Sequence, residues 1–304
     1  MQASLETSII GIINKEGPLL GKELIEKLGT KSYFDVWKAC FNSGFLQISH
    51  FARYYLRYDI SRKDFIRLSP SILRDFLSFT LLSLPHQRNQ IIERQIILSN
   101  RHREISVAKM EIAMKSFQYL PPDEKSFILH NACAFVAGDV AYFLAHEEPR
   151  ESKPLGKMIQ GSDIDIIIVF NDDIDQSVID TFSSNFLGIK HLVLKQTGFA
   201  QEIDFIAKPF SKMIDQMKYS DLAQKIASKI LYESIYIFGD QDLYLKLKRK
   251  LIENGTKSMI EHDFQSALLG REQSTITLLQ SEQEMLSDDL QSLFFFTQER
   301  VEFS

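Results

Sequence analysis

The chain has 304 residues, 44% of them hydrophobic, with 35 Lys and Arg, 40 Asp and Glu, and a formal net charge of −5. This length suits about two domains and a sizeable core. With 13 Gly and 8 Pro, collagen-like and wholly disordered chains are excluded. The two cysteines, Cys40 and Cys133, cannot form a disulfide framework or an all-cysteine zinc site, which favours a reduced, cytoplasmic compartment.

Charge and hydropathy restrict the expected partners. No apolar run approaches the ~18 residues of a membrane span, and the polar start lacks the layout of a secretory signal, so we expect no membrane association. Residues 1–108 contain 15 Lys and Arg against 10 Asp and Glu, which leaves 20 against 30 for residues 109–304. The basic part could meet nucleic acid, whereas the acidic part would repel it unless metal ions intervene.

The first 68 residues predict three short amphipathic helices, at 4–17, 19–29 and 32–44, followed by an aromatic, strand-forming segment at 45–60. Three helices and a basic ribbon resemble a winged helix-turn-helix. The cations that this resemblance directs toward DNA or RNA phosphates are Lys31, Lys38, Arg53 and Arg57, together with Arg62 and Lys63. A winged helix also serves as a scaffold or dimerisation module, so the role of this domain and the formation of a homo-oligomer stay open.

The expected fold class is α+β, in four segments. After the winged helix at 1–68 come a helical connector at 69–121, a mixed β-sheet with flanking helices at 122–210, and a helical C-terminal region at 211–304. Strands are predicted at 132–138, 163–170, 190–196 and 202–207, and helices at 139–146 and 175–187. The run LFFF at 293–296 suits either an exposed partner-binding patch or buried helix packing.

The sharpest local feature is the pair Asp163 and Asp165, which leads directly into the apolar run IIIVF. Residues i and i+2 of a strand share a face, and two neighbouring carboxylates repel each other unless a cation lies between them. Asp204, flanked by Ile203 and Phe205, is predicted on a neighbouring strand. Three such carboxylates can hold two Mg²⁺ ions. Glu202, at the edge of that run, is expected to be solvated.

These motifs resemble the DNA polymerase β-like nucleotidyltransferase superfamily, whose pattern is a strand ending in Gly, a helix, an Asp-x-Asp strand and a later third Asp. Gly138 matches the glycine, 161–165 matches the acidic motif of small bacterial members, and Asp204 matches the third acid. The resemblance covers about residues 125–240. It implies a catalytic site of Asp163, Asp165 and Asp204 that uses Mg²⁺ or Mn²⁺ to move an NMP from an NTP to a hydroxyl acceptor. The acceptor could be a protein, an RNA, a nucleotide or a small molecule.

The NTP-binding residues that the resemblance implies are Gly138, Asp139, Gly161, Ser162, Lys208 and Lys229, with Lys225 and Tyr232 as weaker candidates. One departure is clear, because the superfamily usually has Gly-Ser or Gly-Gly where this chain has Gly138-Asp139. Asp139 brings a negative charge toward the triphosphate and puts ordinary NTP affinity in doubt. Arg150, Lys153 and Lys157 lie in a long charged segment that either covers the phosphates or is an insertion.

Two other functions stay open at this point. The chain could be a DNA-binding regulator whose nucleotidyltransferase fold senses nucleotides without turning them over, or a scaffold that binds a partner through its C-terminal region. Small members of the superfamily often act in toxin–antitoxin or phage-defence modules, which an attached winged helix would suit. The sequence contains no HExxH, P-loop or Rossmann pattern, so zinc-protease, P-loop and dinucleotide-binding functions are not supported.

Overall fold

The computed structural model describes residues 2–58, 66–152, 157–195, 201–281, 287–296 and 299, without the side chains of residues 2–3, 149–152 and 157–160. The chain divides into two compact units: residues 1–101 with 264–304, and residues 102–263. The segments predicted at 69–121 and 211–304 therefore each contribute residues to both units. Within these described ranges, none of the helices has the length and apolarity needed to cross a membrane.

The described residues form helices and strands in a mixture that confirms the α+β class. The α-helices are α1 (Gln2–Glu16), α2 (Gly21–Leu28), α3 (Tyr33–Asn42), α4 (Ile72–Phe79), α5 (Arg88–Ser116), α6 (Pro122–Asn131), α7 (Gly138–Tyr142), α8 (Gln176–Lys195), α9 (Phe210–Gln216), α10 (Leu222–Glu233), α11 (Gln241–Glu253), α12 (Thr256–Gln280) and α13 (Asp288–Phe294). The strands are β1 (Leu19–Leu20), β2 (Gln47–His50), β3 (Tyr55–Tyr58), β4 (Ile66–Ser69), β5 (Thr80–Ser83), β6 (Ala132–Ala137), β7 (Pro149–Ser152), β8 (Lys157–Gln160), β9 (Ile164–Phe170), β10 (Ile203–Pro209) and β11 (Ile235–Gly239).

The second unit is organised around a sheet whose described strands run in the order β10-β9-β6-β11. Strand β9 lies parallel to β10 and antiparallel to β6, and β6 lies antiparallel to β11. Residues 166–170 of β9 and all of β6 are buried. Both strands accordingly have nearly continuous apolar sequences, as expected of strands covered on both faces.

Helices cover both faces of this sheet. On one face, Phe182 and Phe186 of α8 pack with Phe170 of β9 and with Phe117, just after α5, in a single hydrophobic cluster. On the other face, α9, α10 and α11 contact the strands, and the ring of Tyr244 lies 5.6 Å from that of Phe135. The turn after β6 and the start of β9 therefore lie between the two layers of helices that cover the sheet.

The structure corrects the sequence prediction at several elements. The strand predicted at 190–196 is wrong, because residues 190–195 are the end of α8, where Phe186, Ile189 and Val193 continue a helical stripe into the core. The helix predicted at 139–146 ends at Tyr142, and Phe143 follows in the left-handed conformation with φ of 60°. Strands β1, β4, β5, β7, β8 and β11 lie outside the predicted strands, and β1 and β5 fall in segments predicted to be helical.

The first unit contains a small antiparallel sheet in the order β1-β5-β2 and a separate hairpin of β3 and β4. Trp37 of α3 is fully buried in its core. Phe294 of α13 contacts both Trp37 and Phe34, with ring centroids at 5.2 Å and 5.4 Å. Phe294 and Phe296 are buried, so the run at 293–296 packs inside this unit.

Gly239 at the end of β11 provides a test of the sheet geometry. Its φ is +95°, and a Cβ there would lie 2.1 Å from the carbonyl oxygen of Ala132. Gly239→Ala should therefore lower the free energy of unfolding by about 2 kcal/mol or more, measured by urea unfolding followed with circular dichroism.

Gly188 is the matched control, because it lies inside α8 with nothing within 4 Å of an added Cβ. Gly188→Ala should leave the stability unchanged or raise it by up to about 1 kcal/mol. Equal unfolding curves for the two variants would contradict the described pairing of β6 and β11.

Candidate metal centre

Three carboxylates come together where β9 and β10 begin. The parallel register places Asp165 directly beside Asp204, and Asp163 lies just before the first residue of β9. One oxygen from each of these three residues lies within 4.8 Å of the other two. The structure thus brings together all three acids that the sequence singled out. Asp163 and Asp165 are partly buried, whereas Asp204 is exposed.

The charges of this cluster act on one another. Burial raises the pKa of the Asp165 carboxyl from 3.8 to about 8, with further contributions from Asp163, Asp204, Asp139 and Glu233. A divalent cation among these oxygens would relieve the repulsion, and carboxylates are the hard ligands that Mg²⁺ and Mn²⁺ prefer. The chemistry and spacing of the donors therefore fit such an ion.

Gly138 allows β6 to end close to the acids. Ala137, the last residue of β6, lies opposite Asp165, and Gly138 follows with φ of +65°. A Cβ at Gly138 would lie 3.0 Å from Oδ2 of Asp165. A side chain at this position would be strained by the backbone conformation and would crowd the central carboxylate.

Ser162 and Asp139 bind each other. The Ser162 hydroxyl donates to Oδ2 of Asp139 at 3.3 Å and accepts the backbone N–H of His146 at 3.2 Å. Gly161 precedes it with φ of +83°, where a Cβ would lie 2.5 Å from the carbonyl oxygen of His146. Lys109 of α5, which is buried, donates from Nζ to the Ser162 carbonyl at 2.7 Å. These contacts brace the turn that leads into the acidic pair.

The sequence did not single out Glu233. Its carboxylate binds Gly138 and Lys229, two residues that the resemblance assigns to the NTP. The backbone N–H of Gly138 donates to Oε1 of Glu233 at 3.0 Å, and Nζ of Lys229 lies 2.6 Å from Oε2. The side chain of Glu233 is 1% exposed, and burial together with its charge raises the pKa of Tyr142. The spacing of Lys229 and Glu233, four residues apart on a helix, indicates their ion pair but not the contact of Glu233 with Gly138.

The other predicted cations and the predicted aromatic contact groups other than the three acids. Lys208 shares the face of Asp204 but is about 13 Å further along β10, where Nζ donates to Gln216 at 2.9 Å. Burial, with the nearby Lys212, lowers the pKa of Lys208 to about 8. Lys225 pairs with Asp263 at 3.5 Å, and the hydroxyl of Tyr232 donates to Glu261 at 3.5 Å.

Lys190 is a second residue that the sequence analysis missed at this site. Its Nζ lies 2.5 Å from Oδ1 of Asp204. The Lys190 side chain is only 15% exposed, whereas that of Asp204 is 50% exposed. The prediction of a strand at 190–196 gave no reason to direct Lys190 toward the acids.

Glu202 corrects another expectation, because it is buried rather than solvated. Its carbonyl oxygen accepts the backbone N–H of Ile164 at 2.9 Å, at the start of the pairing between β9 and β10. The segment with the charged residues after β6 forms the hairpin of β7 and β8. Lys153 and the side chains of Arg150 and Lys157 lie outside the described residues.

The cations predicted to contact nucleic acid belong to the first unit. Lys31 and Arg53 are exposed. Lys38 donates to the carbonyl of Ser281, and the guanidinium of Arg57 stacks 4.2 Å from the ring centroid of Phe296. Arg62 and Lys63 lie outside the described residues. Of the described cations in this set, two therefore have partners within the chain.

Comparison of the chain with protein-family models, with curated proteins and with solved structures finds no match.

The raised pKa of Asp165 predicts a pH-dependent stability. Between about pH 4 and pH 8 the folded protein keeps a proton that the unfolded chain has released, so the stability falls as the pH rises through this window. Asp165→Asn removes the carboxylate. In EDTA, its melting temperature should exceed that of the wild type at about pH 8, and the difference should shrink toward about pH 5.

Asp173→Asn is the control, since Asp173 is an exposed acid in the turn after β9. Its melting temperature should follow that of the wild type at every pH. A melting temperature of Asp165→Asn below that of the wild type at about pH 8 would contradict the described electrostatics of the cluster.

Proposed function

We propose that this protein is an Mg²⁺- or Mn²⁺-dependent nucleotidyltransferase that moves an NMP from an NTP to a hydroxyl group. The observation that carries the proposal is the meeting of Asp163, Asp165 and Asp204 within 4.8 Å at the start of two parallel strands. Acidic side chains that are held close together despite their mutual repulsion are typical of functional sites.

The topology around the acids supports the same proposal. Strand β6 ends at Ala137, α7 begins at Gly138, the Asp-x-Asp motif leads into β9, and Asp204 lies on β10 after α8. This order, with β9 between β6 and β10, agrees with the superfamily pattern that the motifs resemble. Asp139 and Glu233 modify the pattern by placing acids around Gly138.

The proposed reaction is an in-line displacement at the α-phosphorus. When bound, the divalent ions supply positive charge that stabilises the phosphate oxygens and lowers the pKa of the acceptor hydroxyl. Asp204, as the exposed acid, faces the acceptor and takes its proton on a carboxylate oxygen. The acceptor oxygen bonds to the α-phosphorus, the bond from phosphorus to the bridging oxygen breaks, and pyrophosphate leaves. Asp163 and Asp165, together with Asp204, would hold the divalent ions that bring the phosphate oxygens and the acceptor into line.

Binding of a triphosphate at Gly138 would require a change in the hydrogen bonding of this residue. The resemblance assigns Gly138 to the NTP, yet the N–H of Gly138 donates to Glu233. Contact with a triphosphate therefore requires Glu233 to release that N–H. Because Asp139 is also near, we expect weak NTP binding before the divalent ions bind.

We also propose that the first unit is a winged-helix module. The order α1, β1, α2, α3, β2 and β5, with β5 between the other two strands, supports this. Its third helix, which would enter a DNA groove, carries the aromatic side chains that pack against Phe294. Lys38 and Arg57 also have partners within the unit. These contacts favour a scaffold role over the alternative of a DNA-binding regulator.

The deciding experiment uses α-³²P-labelled NTPs with Mg²⁺ or Mn²⁺, each tested alone, with total tRNA and with cell lysate. Label should appear on protein, RNA or a small product. Asp163→Asn and Asp204→Asn should each lower this transfer by about 100-fold or more, because each removes a carboxylate that would hold a divalent ion.

The exposed Asp173→Asn is again the matched control and should transfer label at the wild-type rate. Transfer that survives in Asp163→Asn would show that the site assignment is wrong. Binding of an NTP without any labelled product would favour the nucleotide sensor instead, and binding to duplex DNA would then be measured.

A further inference from the structure

Lys190 is fixed beside the metal centre by the packing of its helix. Phe186 and Val193, four residues before it and three after it, are buried against the sheet. The side chain of Lys190 extends from this anchored helix to the edge strand β10, where its ammonium group meets Oδ1 of Asp204 at 2.5 Å. Within the described residues, Asp204 therefore holds a cation already supplied by the chain.

The choice of lysine is suited to a contact that can be broken. An ammonium group is a point charge on a flexible four-carbon stem, whereas a guanidinium group would bind the carboxylate in a fixed, bidentate geometry. Asp204 is half exposed, so solvent screens the pair and its strength is modest. A divalent ion and the ammonium group of Lys190 would compete for the oxygens of Asp204. The divalent ion carries the larger charge and can displace the ammonium group.

We propose that Lys190 is a positioning residue that orients Asp204 and competes with a divalent cation for its carboxylate. This inference rests on the proposed function, because it requires divalent cations to bind at the three acids. The ion that uses Asp204 then binds more weakly than an ion held by Asp163 and Asp165. Its site fills only at higher metal concentration, or when phosphate oxygens of a substrate add further ligands.

Replacing Lys190 by a neutral residue should therefore change the metal affinity in a direction that the competition predicts. Removing the ammonium group should strengthen the weaker class of metal sites, whereas a merely structural lysine would leave it unchanged or weaken it. In metal-free protein the same substitution leaves the carboxylates without this cation, so it should lower the melting temperature. Added Mn²⁺ should then raise the melting temperature more in the variant than in the wild type.

The test is a Mn²⁺ titration of the full chain without nucleotide, in which free Mn²⁺ is followed by electron paramagnetic resonance. Lys190→Met should bind the weaker class of Mn²⁺ about three- to tenfold more tightly than the wild type. Lys190→Arg keeps the charge and should keep that class weak. Lys195→Met, an exposed lysine at the end of the same helix, is the control with the same change of charge.

Lys190→Gln carries the same expectation and replaces Lys190→Met if circular dichroism shows that the methionine variant is unfolded. Unchanged or weaker Mn²⁺ binding in both neutral variants would overturn the inference and leave the proposed function standing. Absence of Mn²⁺ binding in the wild type would overturn both. Tighter binding in Lys195→Met as well would also overturn the inference, because the effect would then be one of net charge.

Discussion

The parallel pairing of β9 with β10 is the constraint on which the second unit depends. Its register sets Asp165 beside Asp204, and a slip of one residue would send the two carboxylates to opposite faces of the sheet. The register is specified by Ile164, Ile166 and Ile203, which enter the core on the other face. Because β9 also pairs with β6, the same strand aligns the Gly138 turn with the acids.

This arrangement gathers negative charge that the rest of the fold must tolerate. Burial and four neighbouring acids hold the pKa of Asp165 far above its usual value. Cations of the chain meet the outer acids: Lys190 contacts Asp204 and Lys229 contacts Glu233. The fully buried β6 and the aromatic side chains of α8 supply apolar stabilisation nearby. A site of this kind lowers the stability of the fold, because its acids repel one another, and the same acids can bind cations.

The sequence predicts those features that have a local pattern. The strands β6, β9 and β10 and the three acids follow from apolar runs, a glycine and the spacing of Asp residues. The strand predicted at 190–196 is wrong because the short apolar run at 192–194 imitates a strand, while the helical stripe of α8 becomes visible only over its whole length. Lys190 and Glu233 were missed for a different reason. Their roles come from contacts across the fold, to Asp204 and to the N–H of Gly138, which no local spacing specifies.

The first unit is assembled from two separate segments, residues 1–101 and 264–304, with the second unit between them in the sequence. During synthesis on a ribosome, Phe34 and Trp37 emerge before the second unit, and Phe294, which packs against them, emerges only after it. The second unit is continuous in sequence and can fold while the first is still waiting for its missing part. Until the second unit has been synthesised, the aromatic side chains of α3 therefore lack the covering that Phe294 provides in the folded protein.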